Sequence, residues 1–298
     1  MSGAAAADPA WRPLALALAP HVLAELLDGG QAFRWARNGA DNHWRGIWGH
    51  HVVEIRGQDD GCLWRPLTPE TTATDLLAYL GHDDAWEELA DALPWRSDSV
   101  LATARAAFPG LRILAQPLGE TLLAFLCSSS KQIVQIKVML ATLAERFGEP
   151  LTPTENTLPG WPRLASVSEA DLRACKLGYR ARYIAETAQR LAAEPAWEAR
   201  LASLPEAEAH AWLCSLPGVG TKVADCVLLF GARRLEAFPV DTWILKILTT
   251  QYSLTGWTPA QIRHFGRAHF GAGAGLAQQY LFAAARRGVL RAGPAFPG

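Results

Sequence analysis

The chain has 298 residues, of which 50% are hydrophobic and 19% are charged, a composition typical of globular rather than disordered proteins. At about 150 residues a domain, this length favours two domains. No apolar run approaches the roughly 18 residues of a membrane span, and the run Leu14 to Leu27 is interrupted by a proline, a histidine and a glutamate, so neither a membrane protein nor a secretory signal is expected. The five cysteines form no C-x-x-C pair, which argues against zinc knuckles and a disulfide scaffold and favours a reducing compartment.

The net charge of −1 is unevenly distributed along the chain. Residues 1–110 contain 8 Lys+Arg and 15 Asp+Glu, whereas the remainder contains 20 basic and 14 acidic residues. This asymmetry suggests that the second part meets a polyanion, although two unrelated surfaces would give the same numbers.

The first hundred or so residues alternate short β-type runs with turn clusters. Gly/Asn/Asp clusters at 38–42 and 57–61 separate the predicted strands, which are Gln31 to Trp35, Trp44 to Trp48 and Val52 to Arg56. A helix is predicted from about Thr74 to Leu93, because apolar residues recur there at helical spacing. We therefore expect an N-terminal mixed domain, residues 1–110, with a small antiparallel sheet.

From Pro109 onward the pattern is almost entirely helical. The predicted helices are Glu120–Cys127, Lys131–Phe147, Glu169–Ala174, Arg180–Ala193, Glu206–Ser215, Thr221–Phe230, Asp241–Gln251, Pro259–His269 and Gly275–Arg287. The Pro- and Thr-rich stretch 150–162 is predicted to be a loop and a hinge. The predicted fold class is α+β: a mainly α-helical domain, residues 111–298, beside the small sheet domain.

The stretch from Leu213 to Asp241 (LCSLPGVGTKVADCVLLFGARRLEAFPVD) carries the most chemical information. Pro217 blocks continuation of the preceding helix, and Gly218 and Gly220 permit positive φ and close backbone approach. A new helix begins near residue 221, so its free N–H groups and the positive end of its dipole can hold a nucleic-acid phosphate without reading sequence. Taken alone, the G-x-G pattern more often marks an ordinary αα-hairpin.

Three side chains near this turn have reactive chemistry. Lys222 lies in the first helical turn, where the dipole and partial burial favour the neutral amine, a nucleophile able to form a Schiff base. Cys226 lies four residues on and shares its helix face. Asp241 is predicted to cap the next helix, and the N–H groups that hold a capping carboxylate also keep it ionised. Lys222 could instead be a solvated surface lysine and Asp241 only a cap.

The glycine turn, lysine and downstream aspartate (LPGVGTK…PVD) resemble the signature of the helix-hairpin-helix (HhH-GPD) DNA glycosylase superfamily. Five segments, in the same order, resemble its 8-oxoguanine branch: GQAFRW at 30–35, FLCSSS at 125–130, LGYRARYI at 177–184, LPGVGTKVADC at 216–226 and AQQYLF at 277–282. The resemblance implies a helix-hairpin-helix at about 205–230. It also implies a bifunctional base-excision-repair glycosylase and AP lyase that excises 8-oxoguanine from double-stranded DNA.

The resemblance implies catalytic roles for Lys222 and Asp241. Lys222 would attack C1′ of the damaged nucleoside, displace the base and hold the sugar as a Schiff base, with β-elimination to follow. Asp241 would stabilise the positive charge that develops on the sugar. The damaged nucleotide must first leave the duplex, at a cost of a few kcal/mol of stacking and pairing.

It also implies a binding site for the flipped base. The Gly30 carbonyl would accept a hydrogen bond from N7–H, which 8-oxoguanine has and guanine lacks, so guanine would leave the carbonyl unpaired. Cys226 and Phe282 would sandwich the base, and Gln278, one helical turn before Phe282, would reach its Watson–Crick edge. Taken alone, Phe282 is more simply a core residue.

The DNA-binding positions implied by the resemblance lie on three segments. Tyr179 would be wedged near the vacated space, and Arg180 would contact the orphaned partner base. Ser130 and Lys131 fall on the segment that fills the gap in the duplex. The hairpin turn would hold a phosphate through Gly218, Val219 and Gly220.

The sequence departs from the family in two places. The family usually has a run of asparagines and then an arginine, but here Ser130-Lys131-Gln132 is followed by Gln135 at the arginine position. Because half of the expected cytosine contacts are missing, we expect a weaker preference for cytosine opposite the lesion. Trp243 replaces a histidine, which puts one phosphate contact in doubt.

Other functions remain open at this stage. A glycosylase for alkylated bases usually lacks the hairpin lysine, and the oxidised-pyrimidine branch commonly has an iron–sulfur cluster, which is not expected because no cysteine follows Cys226. A non-catalytic DNA-binding module would need the glycines but not Lys222 and Asp241. We expect no required cofactor and no metal site beyond a monovalent cation that the resemblance allows at the hairpin. We also expect a monomer without a membrane partner, in a bacterial-type cytoplasm or a nucleus.

Overall fold

The computed structural model describes residues 10–39, 43–59, 61–82 and 85–291. Its N-terminal part is an antiparallel sheet with the strand order β1-β5-β4-β3-β2. The strands are β1 (Arg12–Leu14), β2 (Trp35–Asn38), β3 (His43–Trp48), β4 (His51–Gln58) and β5 (Gly61–Pro66), and helix α1 (Pro20–Asp28) lies between β1 and β2 in the chain. Of the two predicted turn clusters, residues 40–42 and 60 lie outside the described residues.

Aromatic side chains hold the sheet to the helix that follows it, α2 (Ala73–Tyr79). The rings of Trp48 and Tyr79 stack with centroids 4.4 Å apart, and the Trp35 indole Nε1 donates to the Tyr79 hydroxyl at 3.0 Å. The strand partner of Trp35 is Gly46, where a Cβ would collide with the indole. The glycine in β3 therefore makes room for the most deeply buried tryptophan of the sheet.

The rest of the described chain is helical. The helices are α3 (Trp86–Ala92), α4 (Ser99–Ala107), α5 (Leu118–Ser128), α6 (Ile133–Phe147), α7 (Trp161–Ala165), α8 (Glu169–Leu172), α9 (Arg180–Ala192), α10 (Trp197–Ser203), α11 (Glu206–Cys214), α12 (Thr221–Phe230), α13 (Thr242–Gln251), α14 (Pro259–Phe270) and α15 (Ala274–Arg286). The predicted α+β class with a small antiparallel sheet is confirmed. No helix of the described ranges is long and apolar enough to cross a membrane.

Two predicted elements are wrong. The strand at Gln31 to Trp35 is a loop up to its last residue, because the Gln31 side chain bonds to a distant segment: its Nε2 donates to the Arg112 carbonyl at 2.9 Å, and its Oε1 accepts from the Leu114 amide at 3.0 Å. The single helix from Thr74 to Leu93 is two helices, α2 and α3. It breaks near Gly81, which has φ +70°.

Side-chain bonds join the N-terminal sheet to the helices. The Lys137 ammonium on α6 donates to Asp28 Oδ1 and to the Trp35 carbonyl, both at 2.6 Å. The buried Glu25 of α1 accepts from Arg286 and Arg287, each at 2.7 Å, at the end of α15. One continuous hydrophobic core runs beneath both parts, so residues from the two ends of the chain meet in one site.

Candidate active site

The turn between α11 and α12 has the open geometry that the G-x-G pattern allows. Gly218 has φ +78°, and a Cβ there would lie 2.8 Å from Tyr183. Gly220 has φ −93°, which any residue can adopt. Of the two glycines in the G-x-G pattern, only Gly218 therefore has a positive φ. A Cβ on Gly220 would meet nothing within 4 Å. Val219 is buried beneath the turn, and its amide donates to the Leu216 carbonyl at 3.1 Å. The backbone at Gly220 therefore faces open space at the N-terminus of α12.

Lys222 lies in the first turn of α12 and is half-buried. Its ammonium sits over the Phe125 ring, 5.3 Å from the centroid. Phe125 in turn packs between Phe33 and Phe230, with ring centroids 5.4 and 5.5 Å away. This aromatic platform was missed in the sequence, because nothing local indicates which residue a side chain nearly a hundred positions later will cover.

Asp241 precedes α13 and caps it, as predicted. One carboxylate oxygen accepts from the Ile244 amide at 2.8 Å. Burial raises the pKa of the Asp241 carboxyl, and the Ile244 hydrogen bond and the Lys222 charge partly offset this rise. Burial therefore has the larger effect on the pKa of Asp241, and the capping bond acts in the predicted direction against it. Because the Lys222 charge acts on Asp241, the two side chains belong to one electrostatic site.

Gly30 and Phe282 lie against each other, although they come from opposite ends of the chain. Gly30 has φ +100°, and a Cβ there would lie 3.8 Å from the Phe282 ring and 3.6 Å from Ile133 Cδ1. Phe282 is half-buried rather than enclosed in the core. Cys226 is buried on α12, and burial raises the pKa of its thiol to about 11 although the Lys222 charge lowers it. The thiol is therefore protonated and uncharged at neutral pH.

Gln278 lies on α15 one turn before Phe282 and is buried. Its Nε2 donates to the Pro239 carbonyl at 3.1 Å, just ahead of Asp241, and its Oε1 accepts from Gln279 at 2.7 Å. The side chain thus joins α15 to the segment that carries Asp241. To reach the edge of a base, it would have to exchange these two bonds.

Tyr179 and Arg180 lie at the start of α9 and differ sharply in exposure. Tyr179 is 51% exposed, whereas Arg180 is 4% exposed beneath it, with its guanidinium carbon 4.4 Å from the tyrosine ring centroid. The guanidinium donates to the carbonyls of Leu177, at 3.3 Å, and of Ser129. Contact between Arg180 and an orphaned base therefore requires the side chain to leave this interior position.

The segment between α5 and α6 exposes Ser130 and Lys131. Ser130 has φ +54°, and the Lys131 amide donates to the Ser128 carbonyl at 3.1 Å. Gln135, at the family's arginine position, is used to cap α6: its Oε1 accepts from the Gln132 amide at 3.2 Å. The residue that departs from the family thus has a local structural role.

Trp243 lies in the first turn of α13, two residues after Asp241. Its indole is 36% exposed, and the Lys246 ammonium lies 5.9 Å from its ring centroid. The rim of the site therefore has an exposed aromatic ring beside a positive charge.

A buried ion pair joins α12 to α14. Asp225 is fully buried and accepts from Arg263 of α14 through both oxygens, at 2.6 Å from Nε and 2.7 Å from Nη2. Glu206, at the start of α11, bonds to Arg267 at 2.8 Å and lies 3.4 Å from Arg263. The two helices of the hairpin are thus held to α14. Among the described residues, no group of three or more His, Cys, Asp and Glu side chains could hold a metal ion.

Comparisons with known proteins agree with this architecture. Residues 14–122 match the family model of the 8-oxoguanine DNA glycosylase N-terminal domain, and residues 123–268 match the HhH-GPD superfamily of base excision DNA repair proteins. The N-glycosylase/DNA lyase OGG1 of Arabidopsis thaliana is 33% identical over 93% of this chain and 80% of its own length. The N-glycosylase/DNA lyase of Saccharomyces cerevisiae is 31% identical over 78% and 69%.

A solved structure resembles the whole arrangement. It is the Clostridium acetobutylicum 8-oxoguanine glycosylase/lyase in complex with double-stranded DNA containing cytosine opposite 8-oxoguanine. It superposes with a TM-score of 0.83 at 31% identity, over 90% of this chain and 92% of that one.

Proposed function

The chain belongs to the HhH-GPD superfamily of base excision DNA repair proteins, in its 8-oxoguanine glycosylase branch, and we propose that it excises 8-oxoguanine from double-stranded DNA as a bifunctional glycosylase and AP lyase. One observation carries the proposal. The half-buried Lys222 stands at the head of α12, behind an open glycine turn, and its charge acts on both Asp241 and Cys226.

Lys222 is the proposed nucleophile. The ammonium first gives a proton to solvent, and the resulting amine forms a bond to C1′ while the bond from C1′ to the base breaks. The base leaves with the electron pair and takes up a proton. Opening of the sugar then gives a Schiff base between Nζ and C1′. Loss of a proton from C2′ expels the 3′ phosphate and cuts the strand. The half-buried position over the Phe125 ring restricts where the amine can lie.

Asp241 is proposed to stabilise the positive charge that develops on the sugar. The cap bond from Ile244 holds its carboxylate still, and burial makes a nearby positive charge a favourable partner. Because a sugar cation forms only as the base leaves, this interaction is stronger in the transition state than in the ground state.

The base is proposed to enter between Phe282 and Cys226, where the Gly30 carbonyl would accept a hydrogen bond from N7–H of 8-oxoguanine. The contact distance between the Gly30 position and Phe282 supports this pocket, as does the uncharged Cys226 thiol, which is buried in the middle of α12. Gln278 is proposed to bind the Watson–Crick edge after giving up its bond to Pro239.

The hairpin is proposed to bind a phosphate through the backbone of Gly218, Val219 and Gly220, with Tyr179, Arg180, Ser130 and Lys131 contacting the duplex nearby. The open space at Gly220 and the exposure of Tyr179 support this surface. Because every one of the proposed groups comes from one chain, we propose a monomer, working in a bacterial-type cytoplasm or a nucleus.

A monovalent cation is a further proposal for the same turn. Hard cations take oxygen ligands, and within the described residues the carbonyls of Gly218 and Val219 accept no hydrogen bond. These two carbonyls would hold the ion, whose charge would add to the attraction for phosphate. Replacing potassium by tetramethylammonium at equal ionic strength should weaken DNA binding, and equal affinity in the two salts would remove the ion from the proposal.

The deciding experiment is borohydride trapping on a duplex with one 8-oxoguanine opposite cytosine. The wild type should give a covalent protein–DNA band, and Lys222→Gln should give none. Lys176→Gln, an exposed lysine in the turn before α9, is the matched control and should trap like the wild type. Release of free base without a trapped band would mean a glycosylase that uses water, and neither product would mean a different substrate.

A further inference from the structure

One face of α9 lies against the hairpin turn and contacts three successive parts of it. Tyr183 covers Gly218, whose Cβ position would be 2.8 Å from the tyrosine side chain. Thr187 Oγ1 donates to the Pro217 carbonyl at 3.1 Å. Arg190 Nη1 donates to the Ser215 carbonyl at 2.7 Å. Residues that are three or four positions apart lie on the same face of a helix. One face of α9 therefore contacts the hairpin turn at three points between Ser215 and Gly218.

The Thr187 bond is unusual for a helical threonine. Such a hydroxyl commonly bonds back to its own helix, as Thr142 does to the Val138 carbonyl at 2.9 Å. Thr187 is fully buried and bonds instead to another segment. Its hydroxyl therefore fixes the orientation of the turn rather than satisfying its own helix.

The fixed carbonyl determines where the amide on the same peptide plane points. The peptide unit is planar and trans, so its C=O and N–H point in opposite directions. With the Pro217 carbonyl held toward α9, the Gly218 N–H is directed away from α9, toward the open side of the turn. That side is where a phosphate can approach the backbone, since nothing lies within 4 Å of the Gly220 Cβ position.

The other end of α9 carries the exposed Tyr179. Its ring lies edge-on to Tyr183 at 6.0 Å, and Arg180 beneath it bonds to the Ser129 carbonyl at the end of α5. A single helix therefore connects the residue proposed to enter the duplex gap with the turn proposed to hold the phosphate.

We propose that α9 is a positioning element for the DNA-binding surface, in which Thr187 orients the Gly218 amide toward phosphate and Arg190 holds the start of the hairpin turn against α9. The proposal rests on the proposed function, since it concerns the same surface that is proposed to bind duplex DNA. Neither residue touches the substrate. Their effect is on the affinity for duplex DNA and on the register between the hairpin and Tyr179.

The test uses Thr187→Val and Arg190→Met, each with a matched control. Thr142→Val removes a hydroxyl that bonds only within its own helix, and Arg182→Met removes an exposed charge from α9 that pairs with Glu186 and not with the hairpin. Binding of an undamaged duplex is measured by fluorescence anisotropy over a series of salt concentrations. Excision is measured in single turnover at low and at saturating enzyme, and thermal unfolding shows that each variant is folded.

Thr187→Val should weaken duplex binding by about threefold to tenfold, the factor that one neutral hydrogen bond provides, and Arg190→Met should weaken it in the same direction. The salt dependence of binding should stay unchanged, whereas loss of a direct phosphate contact would reduce its slope by about 0.9. Excision should slow at low enzyme and recover at saturation, and both controls should behave like the wild type.

Two results would overturn the proposal. One is duplex affinity of Thr187→Val equal to that of Thr142→Val. The other is a reduced salt slope for Arg190→Met, which would make Arg190 a phosphate ligand. A wild type that binds duplex DNA but excises no 8-oxoguanine would instead count against the proposed function, and the affinity comparison would still decide the role of α9.

Discussion

Replacing Arg263 by methionine should destabilise the protein by leaving a buried carboxylate without its partner. Asp225 is fully buried and accepts two short hydrogen bonds from Arg263, and the Nε2 atom of His210 lies 3.6 Å from its carboxylate. Removing one member of a buried pair costs about 3–5 kcal/mol. Because the Arg263 side chain keeps 19% exposure, we expect about 3 kcal/mol, near the lower end of that range.

The assay is urea unfolding followed by tryptophan fluorescence, near pH 7.5 and near pH 5. Burial raises the pKa of Asp225, and Arg263 partly offsets this rise, so the methionine variant has a still higher native pKa. A native carboxyl that binds its proton more tightly than the unfolded chain does gains stability as the pH falls. The loss should therefore be smaller near pH 5 than near pH 7.5.

The double variant Asp225→Leu with Arg263→Met separates the charge from the packing. It leaves no buried charge, and an apolar replacement of a buried pair is often neutral or stabilising, so it should recover most of the lost stability. A loss below about 1 kcal/mol for Arg263→Met, the value of an exposed pair, would refute the reasoning. A double variant less stable than the single one would refute it too.

Four further outcomes are expected. Single-turnover excision should proceed at similar rates opposite all four bases, and Gln135→Arg should restore a preference for cytosine by up to about 3 kcal/mol; strict cytosine dependence in the wild type would contradict this. Asp241→Asn should keep the stability of the α13 cap within about 0.5 kcal/mol, since asparagine caps equally well, and yet lower excision strongly; a parallel fall in unfolding free energy would mean that the aspartate is only a cap. Gly218→Ala should weaken duplex binding, because alanine at φ +78° is strained by about 1–3 kcal/mol and its Cβ would press on Tyr183. An unchanged affinity, measured by fluorescence anisotropy, would contradict this expectation. The Cys226 thiol has its pKa raised to about 11 by burial, so iodoacetamide at pH 8 should alkylate it far more slowly in the native protein than in urea. Mass spectrometry of the modified peptide measures the labelling, and rapid labelling of the native protein would contradict this prediction.

The sequence predicts those features of the molecule that depend on local chemistry. The turn at Pro217 and Gly218 and the cap at Asp241 follow from residue types that have one strong conformational preference each. The loop at Gln31 could not be predicted, because its conformation depends on hydrogen bonds to residues about eighty positions away.

The same limit applies within the candidate site. The pattern placed Gly30 and Phe282 in one pocket only through a family resemblance, and packing is what brings them into contact. The buried position of Arg180 could not be predicted, because its guanidinium bonds to the main-chain carbonyl of Ser129, and every residue type has such a carbonyl. The raised pKa of Asp241 could not be predicted either, because it depends on how deeply the carboxyl is buried, and the effect of burial exceeds that of the capping bonds.

The contact between Gly30 and Phe282 has a consequence for protein synthesis. A ribosome makes Gly30 near the beginning of the chain and Phe282 near the end, and α15 is held in place through the bonds of Arg286 and Arg287 to Glu25. Residues of α15 also belong to the single hydrophobic core. The pocket for the base and the core that supports the rest of the site are therefore completed together, only after α15 has been synthesised.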